Sequence, residues 1–89
     1  MRRDLKLIKH LLDMIQAYAD RDGIYLHHLI PKWEASSGNP DKPLSEDELI
    51  YHLNLCGNAG LLAIDGGNLI QMTWAGHDYL DAQTVSHTA

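Results

Sequence analysis

The feature that most constrains the fold is a helix start in the segment LSEDELIYHLNLCGNAGLL, at residues 44 to 62. Ser45 and Glu48 have the spacing of a capping box, in which each side chain satisfies an amide near the other residue. A helix is therefore predicted to begin at Ser45. Gly60 is placed to end this helix after about Ala59, because glycine readily adopts the left-handed conformation of a helix C-terminus.

A β-hairpin is predicted directly after this helix. Two apolar runs, at about 61 to 65 and 69 to 73, flank Asp-Gly-Gly-Asn, whose glycines permit the positive φ angles of a tight turn. Thr73 can then cap a last helix. The predicted packed face of that helix contains Gly76, Tyr79, Leu80 and Gln83.

The N-terminal part predicts a helix over about 4 to 21, because its apolar residues recur at helical spacing. Asp4 is its expected N-cap, and Gly23 is expected to end it. A short strand near 24 to 28 follows. Residues 29 to 43 contain three prolines and are predicted to be a connector with one helical turn at most, around Lys32 to Ala35.

The predicted order is helix, short strand, connector, helix, β-hairpin and C-terminal helix. This order indicates an α+β fold of the winged-helix type, with the hairpin as the wing and the helix from Ser45 in the recognition position. The 89 residues suffice for a single domain, 1 to 89.

Three blocks of the chain, MRRDLKLIKHLL, SEDELIYHLNLCGNAGLL and TWAGHDYLDA, resemble a small winged-helix family of phages and prophages that is catalogued as a domain of unknown function. The blocks occur in the order that the family shows and span about half of the chain. Residues 29 to 43 look like an insertion relative to the family. The resemblance implies the fold and a phage or prophage origin, and it implies no established activity.

Composition limits the compartment and the redox chemistry. A single cysteine, Cys56, cannot form an internal disulfide, and no segment is long and apolar enough to cross a membrane. A soluble, cytoplasmic protein with no membrane contact and no cofactor is expected.

Charge is distributed unevenly in this chain of net charge -5. Four basic residues lie in the first ten positions, and residues 11 to 89 hold three basic and eleven acidic side chains. Contact with nucleic acid is therefore expected only through the N-terminus. The candidate residues for it are Arg2, Arg3, Lys6 and Lys9, although a solvated helix face that balances the acidic remainder of the chain is the favoured explanation of them.

The outward face of the helix from Ser45 suits DNA poorly. It carries no lysine or arginine, and a carboxylate about 4 Å from a phosphate costs about 4 kcal/mol at the effective dielectric near a protein surface. DNA binding is thus possible but disfavoured. The residues on or beside this face are Glu46, Asp47, Glu48, Tyr51, Asn54, Leu55 and Asn58.

Three apolar or aromatic residues are the candidate protein interface. Tyr51 and Leu55 lie one turn apart and point away from the predicted core, unless the connector covers them. Trp74 lies opposite the packed face of the last helix, so it either anchors a partner or packs against the first helix. Tryptophan at an interface is commonly an energetic hot spot.

Metal binding and catalysis are both weakly indicated. His52 with Cys56, and His77 with Asp81, have helical i, i+4 spacing, but a buried imidazole bonded to the backbone explains His52 as well. His27 and His28 would alternate sides of a strand and could not bind one ion together. No metal site is predicted.

No enzyme is predicted either. Thr73, His77 and Asp78 contain triad-like groups, yet His77 and Asp78 diverge by about 100° on one helix. The predicted function is non-catalytic binding to a protein partner or to a second copy in a homodimer. The alternative is a DNA-binding transcriptional regulator that uses the basic N-terminus.

Overall fold

The computed structural model describes residues 2–38 and 41–85, and only the backbone of Thr84 and Val85. In these residues, four helices and a small three-stranded antiparallel sheet form an α+β structure. The elements are α1 (Leu5–Tyr18), β1 (Ile24–Tyr25), α2 (Leu26–Ala35), α3 (Glu46–Asn58), β2 (Leu62–Ile64), β3 (Leu69–Met72) and α4 (Trp74–Val85).

The first helix begins as predicted and ends earlier. The Asp4 carboxylate accepts from the amides of Lys6 and Leu7, which confirms it as the N-cap. The prediction that Gly23 ends the helix is wrong, because α1 stops at Tyr18. Gly23, at φ +109°, instead closes a tight turn, where any Cβ would meet the Ile70 carbonyl oxygen of β3.

The largest error of the sequence prediction lies in α2. The strand ends at Tyr25, and the predicted connector begins with a helix that contains Pro31. Proline removes one helical hydrogen bond at a cost of about 3 kcal/mol. Leu29 and Trp33, one turn apart and fully buried, offset this cost, since burying a large apolar side chain stabilises by about 1.5 to 3 kcal/mol. Asn39 and Pro40 of the connector lie outside the described residues.

The predicted ends of α3 are confirmed. The Ser45 hydroxyl accepts from the Glu48 amide at 3.1 Å and lies 3.1 Å from the Glu48 carboxylate, to which it donates. At the other end Gly60 has φ +80°, and the Leu61 amide donates to the Cys56 carbonyl at 2.9 Å. The chain therefore turns back on α3 just before the hairpin.

The hairpin is confirmed to within a residue at each strand end. β3 pairs with both β1 and β2, so the sheet order is β1-β3-β2. The turn differs from the prediction in one respect, since the residue with positive φ is Asn68, at 62°, rather than a glycine. The Asp65 carboxylate stabilises the tip by accepting from the amides of Gly67 and Leu69.

The last helix is capped by Thr73 as predicted, because its hydroxyl oxygen accepts from the Gly76 amide at 3.0 Å. Gly76 and Leu80 are buried on the packed face. Around them lies one core built from all four helices and the sheet. Its buried apolar residues are Ile8, Leu11, Leu12, Met14, Ile15, Ile24, Leu29, Trp33, Leu49, Leu53, Cys56, Leu62, Ile70 and Leu80.

Candidate protein-binding surface

A groove of about 480 Å³ lies where the start of α1, the end of α3 and one side of α4 meet. We call it the α1/α3 groove. Cys56 and Asn58 of α3 line it, together with Ala59 directly after that helix. The side chains along it are Arg3, Leu5, Ile8, Leu55, Leu61 and Tyr79, of which Arg3 is the one charged group among the described residues of the lining.

The apolar character of the α1/α3 groove follows from where its residues lie on the helices. Leu5 is the first residue of α1 and is 56% exposed, whereas Ile8, one turn later, belongs to the core. Leu55 is half-buried beside the buried Cys56. The groove thus continues the hydrophobic core outward to the surface, where its apolar side chains remain open to a partner.

His52 holds the start of α1 against α3. Its ring is 1% exposed and is bonded to the backbone, as in the buried-imidazole alternative given for it above. Nε2 accepts from the Asp4 amide at 3.1 Å, and Nδ1 lies 2.8 Å from the Glu48 carbonyl oxygen, to which it donates. With one nitrogen donating and the other accepting, neither nitrogen is free to bind a metal.

Cys56 lines the groove, and its thiol is unreactive at neutral pH. Burial raises the pKa of its thiol to about 11, because desolvation disfavours the thiolate. The thiolate is the nucleophilic form of cysteine. At neutral pH this thiol is therefore a small apolar side chain of the core rather than a reactive group.

The raised pKa predicts a pH dependence of stability. An unfolded thiol ionises near pH 9 and the folded one near 11, so the contribution of Cys56 to folding is complete below pH 9 and is lost as the pH rises towards 11. The expected loss is about 1 to 3 kcal/mol. Urea unfolding of wild type and Cys56→Ala between pH 8 and about 11 measures it. Equal pH slopes in the two proteins would contradict the prediction.

Trp74 is the most exposed of the large apolar residues described, at 84%. It is the first residue of α4, two positions before the buried Gly76, which places it about 200° around the helix and away from the core. Packing against α1, one of its two predicted positions, is therefore wrong. Trp74 is available to a partner but is not part of the α1/α3 groove.

Tyr51 lies one turn before Leu55 on α3, and both side chains are half-buried. The ring of Tyr51 meets the His52 ring edge-on, with centroids 5.2 Å apart. Tyr51 does not line the α1/α3 groove. Of the three predicted interface residues, Leu55 is thus in the groove, Tyr51 is beside it on α3, and Trp74 is at the start of another helix.

The four basic N-terminal residues are not equivalent. Lys9 forms an ion pair with Asp13, with 2.7 Å between the Nζ and carboxylate oxygen atoms. Arg2, Arg3 and Lys6 are exposed, and none of them has an ion pair within the described part of the chain. The candidate phosphate-binding set is therefore three uncompensated cations, one of which, Arg3, borders the α1/α3 groove.

The solvent side of α3 is acidic and polar, as the sequence indicates. Its first turn contains Glu46, Asp47 and Glu48, near the positive end of the helix dipole. Asn54 and Asn58 are exposed further along the helix. α3 itself contributes no lysine or arginine that could replace the counterions of a nucleic acid, and the cation next to its C-terminal end is Arg3 of the α1/α3 groove.

Sequence reasoning missed a wider cleft of about 860 Å³ between the end of α1 and α2. His27 and His28 lie in it at the start of α2, with ring centroids 4.2 Å apart, so their predicted placement on opposite sides of a strand is wrong. The Lys32 ammonium lies 4.5 Å from the centre of the Tyr18 ring. The sequence signal for α2 was the i, i+4 spacing of Leu29 and Trp33. Pro31 lies between these two residues and made a helix there look unfavourable.

Metal-binding residues are not brought together in the parts of the chain described, 2–38 and 41–85, where no group of three or more His, Cys, Asp or Glu side chains could hold an ion. Over the same residues, no helix is long and apolar enough to cross a bilayer.

Comparison of the chain with protein families, with curated proteins and with solved structures finds no match.

Proposed function

We propose that this chain is a non-catalytic, cytoplasmic binding protein of the winged-helix type, similar to those of phages and prophages, and that it contacts another protein. The element order from α1 to β3, with β3 between β1 and β2, supports the winged-helix part of this proposal. In that scaffold the β2-β3 hairpin is the wing and α3 occupies the recognition position.

The observation that carries the proposal is the 84% exposure of Trp74. Burial of a large apolar side chain is favourable by about 1.5 to 3 kcal/mol, and the exposed indole lacks this contribution in the free protein. A partner that covers the indole supplies it. Tryptophan is also enriched among the residues that dominate binding energy. Trp74, with Tyr51 and Leu55 on α3, supplies the apolar contacts of the proposed interface.

Electrostatics favours a protein over DNA as the partner. The face of α3 that a winged helix presents to a duplex carries Glu46 and Asp47 and has no basic residue. A hairpin tip with Asp65 adds no cation. Phosphates are repelled by such a surface, whereas a protein can match its carboxylates with lysine, arginine or amide groups.

Replacing Trp74 with alanine tests the proposal. We expect binding to the protein partner to weaken about 30-fold or more, as for a hot-spot residue worth about 2 kcal/mol, while the free energy of unfolding changes by less than about 0.5 kcal/mol. Sedimentation measures binding to a second copy, and quantitative capture from a host lysate measures binding to another protein.

Tyr18→Ala is the matched control, because Tyr18 is also aromatic and is 54% exposed, at the far end of α1. It is expected to leave binding unchanged. Retention of full binding by Trp74→Ala, in both sedimentation and capture, contradicts the proposal.

The second candidate is a DNA-binding regulator that uses the basic N-terminus. It is favoured by the exposure of Arg2, Arg3 and Lys6 and by the absence of ion pairs to them among the described residues. If this candidate is correct, we expect duplex binding that weakens as the salt concentration rises. We also expect that binding to be lost when these three residues and Lys9 are all replaced by neutral residues. Fluorescence anisotropy with a labelled duplex separates the two candidates.

A further inference from the structure

We infer that the α1/α3 groove binds an amphipathic helix whose apolar residues are flanked by carboxylates. This inference rests on the proposed function and names the partner chemistry for the part of the interface that contains Leu55. Three properties of the groove lead to it, namely its apolar walls, the position of its charge and the state of its backbone hydrogen bonds.

The walls select large aliphatic side chains. Leu5, Leu55 and Leu61 line the groove, and its volume of about 480 Å³ falls within the range of sites that bury a ligand. Leu5 is 56% exposed although it lies directly beside the core residue Ile8. Leucine-like side chains at helical spacing on a partner can fill the groove and cover Leu5.

The charge at the groove favours a bound helix that has acidic residues beside its apolar face. Arg3 is at its rim, and no carboxylate is among the described residues that line it. The neighbouring Asp4 carboxylate does not line the groove, and it accepts from the amides of Lys6 and Leu7 at the start of α1. Arg3 is therefore the point of the groove at which a carboxylate of a bound segment meets positive charge, and attraction orients the segment there.

The backbone of the groove selects a helix rather than an extended segment. At the end of α3, the Leu55 carbonyl accepts from the Ala59 amide, the Gly57 carbonyl from the Gly60 amide and the Cys56 carbonyl from the Leu61 amide. The Leu61 carbonyl accepts from the Thr73 amide. The groove therefore offers few backbone groups for a strand to pair with. A helix satisfies its own backbone hydrogen bonds and needs none from the groove.

Three synthetic helical peptides test the inference. The first has leucines every three or four residues with glutamates beside them, the second has lysines in place of the glutamates, and the third has serines in place of the leucines. Methyl chemical shifts of Leu5, Leu55 and Leu61 report binding to the full-length protein. We expect the glutamate peptide to shift these methyl groups, and to bind at least about fivefold more tightly than the lysine peptide. The serine peptide is expected not to bind.

Two pairs of variants locate the interaction. Arg3→Glu is expected to lower the affinity for the glutamate peptide about fivefold. Arg21→Glu makes the same change at a side chain that is 93% exposed and lies outside the groove, and it is expected to leave the affinity unchanged. Leu5→Ser is expected to weaken binding, and Ile64→Ser, at a 38% exposed hairpin residue, is expected to leave it unchanged. Both positions are more than a third exposed, and circular dichroism of the two serine variants checks that the fold is retained.

The inference is overturned if the lysine peptide binds as tightly as the glutamate peptide, if the shifts map elsewhere, or if duplex DNA shifts the same methyl groups. It is also overturned if a second copy covers Leu5 and Leu55 in solution, which sedimentation detects. If Trp74→Ala abolishes partner capture while the glutamate peptide fails to bind, the proposed function stands and this inference does not.

Discussion

Replacing Trp33 with alanine is expected to lower the free energy of unfolding by about 3 to 5 kcal/mol. The side chain is fully buried, and its Nε1 donates to the Ser45 carbonyl at 2.9 Å, so it ties α2 to the start of α3. Truncation leaves a cavity the size of an indole in the core. Since 89 residues give a total stability of about 5 to 13 kcal/mol, this loss is about a quarter of the stability or more, and the variant is expected to unfold at a clearly lower temperature than wild type.

Two further substitutions separate the components of this effect. Trp33→Phe keeps most of the apolar volume and loses the N–H donor, and the Ser45 carbonyl still accepts from the Leu49 amide, so a cost of about 1 to 2 kcal/mol is expected. Trp74→Ala removes the same side chain from an exposed position and is expected to cost less than about 0.5 kcal/mol. Urea titration followed by circular dichroism measures all three. Similar losses for the two alanine variants would mean that Trp33 is not the core residue described.

Gly76→Ala is expected to destabilise the protein by about 1 to 3 kcal/mol or more. A Cβ at this position would overlap the Leu61 carbonyl oxygen and lie 2.8 Å from the Met72 sulfur. The Leu61 carbonyl is a backbone atom that accepts from the Thr73 amide, so it cannot move without disturbing the junction between the hairpin and α4. Thermal unfolding is expected to show the loss as a lower Tm.

Gly57→Ala is the matched control, because it is also a glycine inside a helix. A Cβ there would lie 3.6 Å from the Ile64 Cδ1 atom, an ordinary van der Waals contact. Alanine is favoured over glycine within a helix by about 0.5 to 1 kcal/mol, so this variant is expected to be slightly more stable than wild type. If both variants changed stability in the same direction, close packing at Gly76 would not be the cause.

The elements that sequence predicted correctly are those with local signals. The caps at Asp4, Ser45 and Thr73 all accept hydrogen bonds from the first turn of their helices. Each cap is a contact between residues two or three apart, so its energy depends little on the rest of the chain. The hairpin is also local, since its strands are joined by a four-residue turn.

The candidate site was predictable only residue by residue. Helical geometry indicated correctly that Trp74 faces away from the packed side of α4, whereas Leu55, which was predicted to point away from the core, is half-buried in the groove. The groove itself was not predictable, because Arg3 and Leu5 are about fifty residues from Leu55 in the chain. Their meeting depends on the His52 ring, whose Nε2 accepts from the Asp4 amide.

By itself the sequence determined the helix starts, the hairpin and the acidic character of α3, because each depends on neighbours within one or two turns of chain. Only the tertiary structure decided that residues 26 to 35 form a helix, since the burial of Leu29 and Trp33 in a shared core outweighs the local penalty of Pro31. It also decided that Arg3, Leu5 and Leu55 border one groove. The physical reason is the same in both cases: the stabilising free energy comes from contacts between segments far apart in the chain, which no local pattern records.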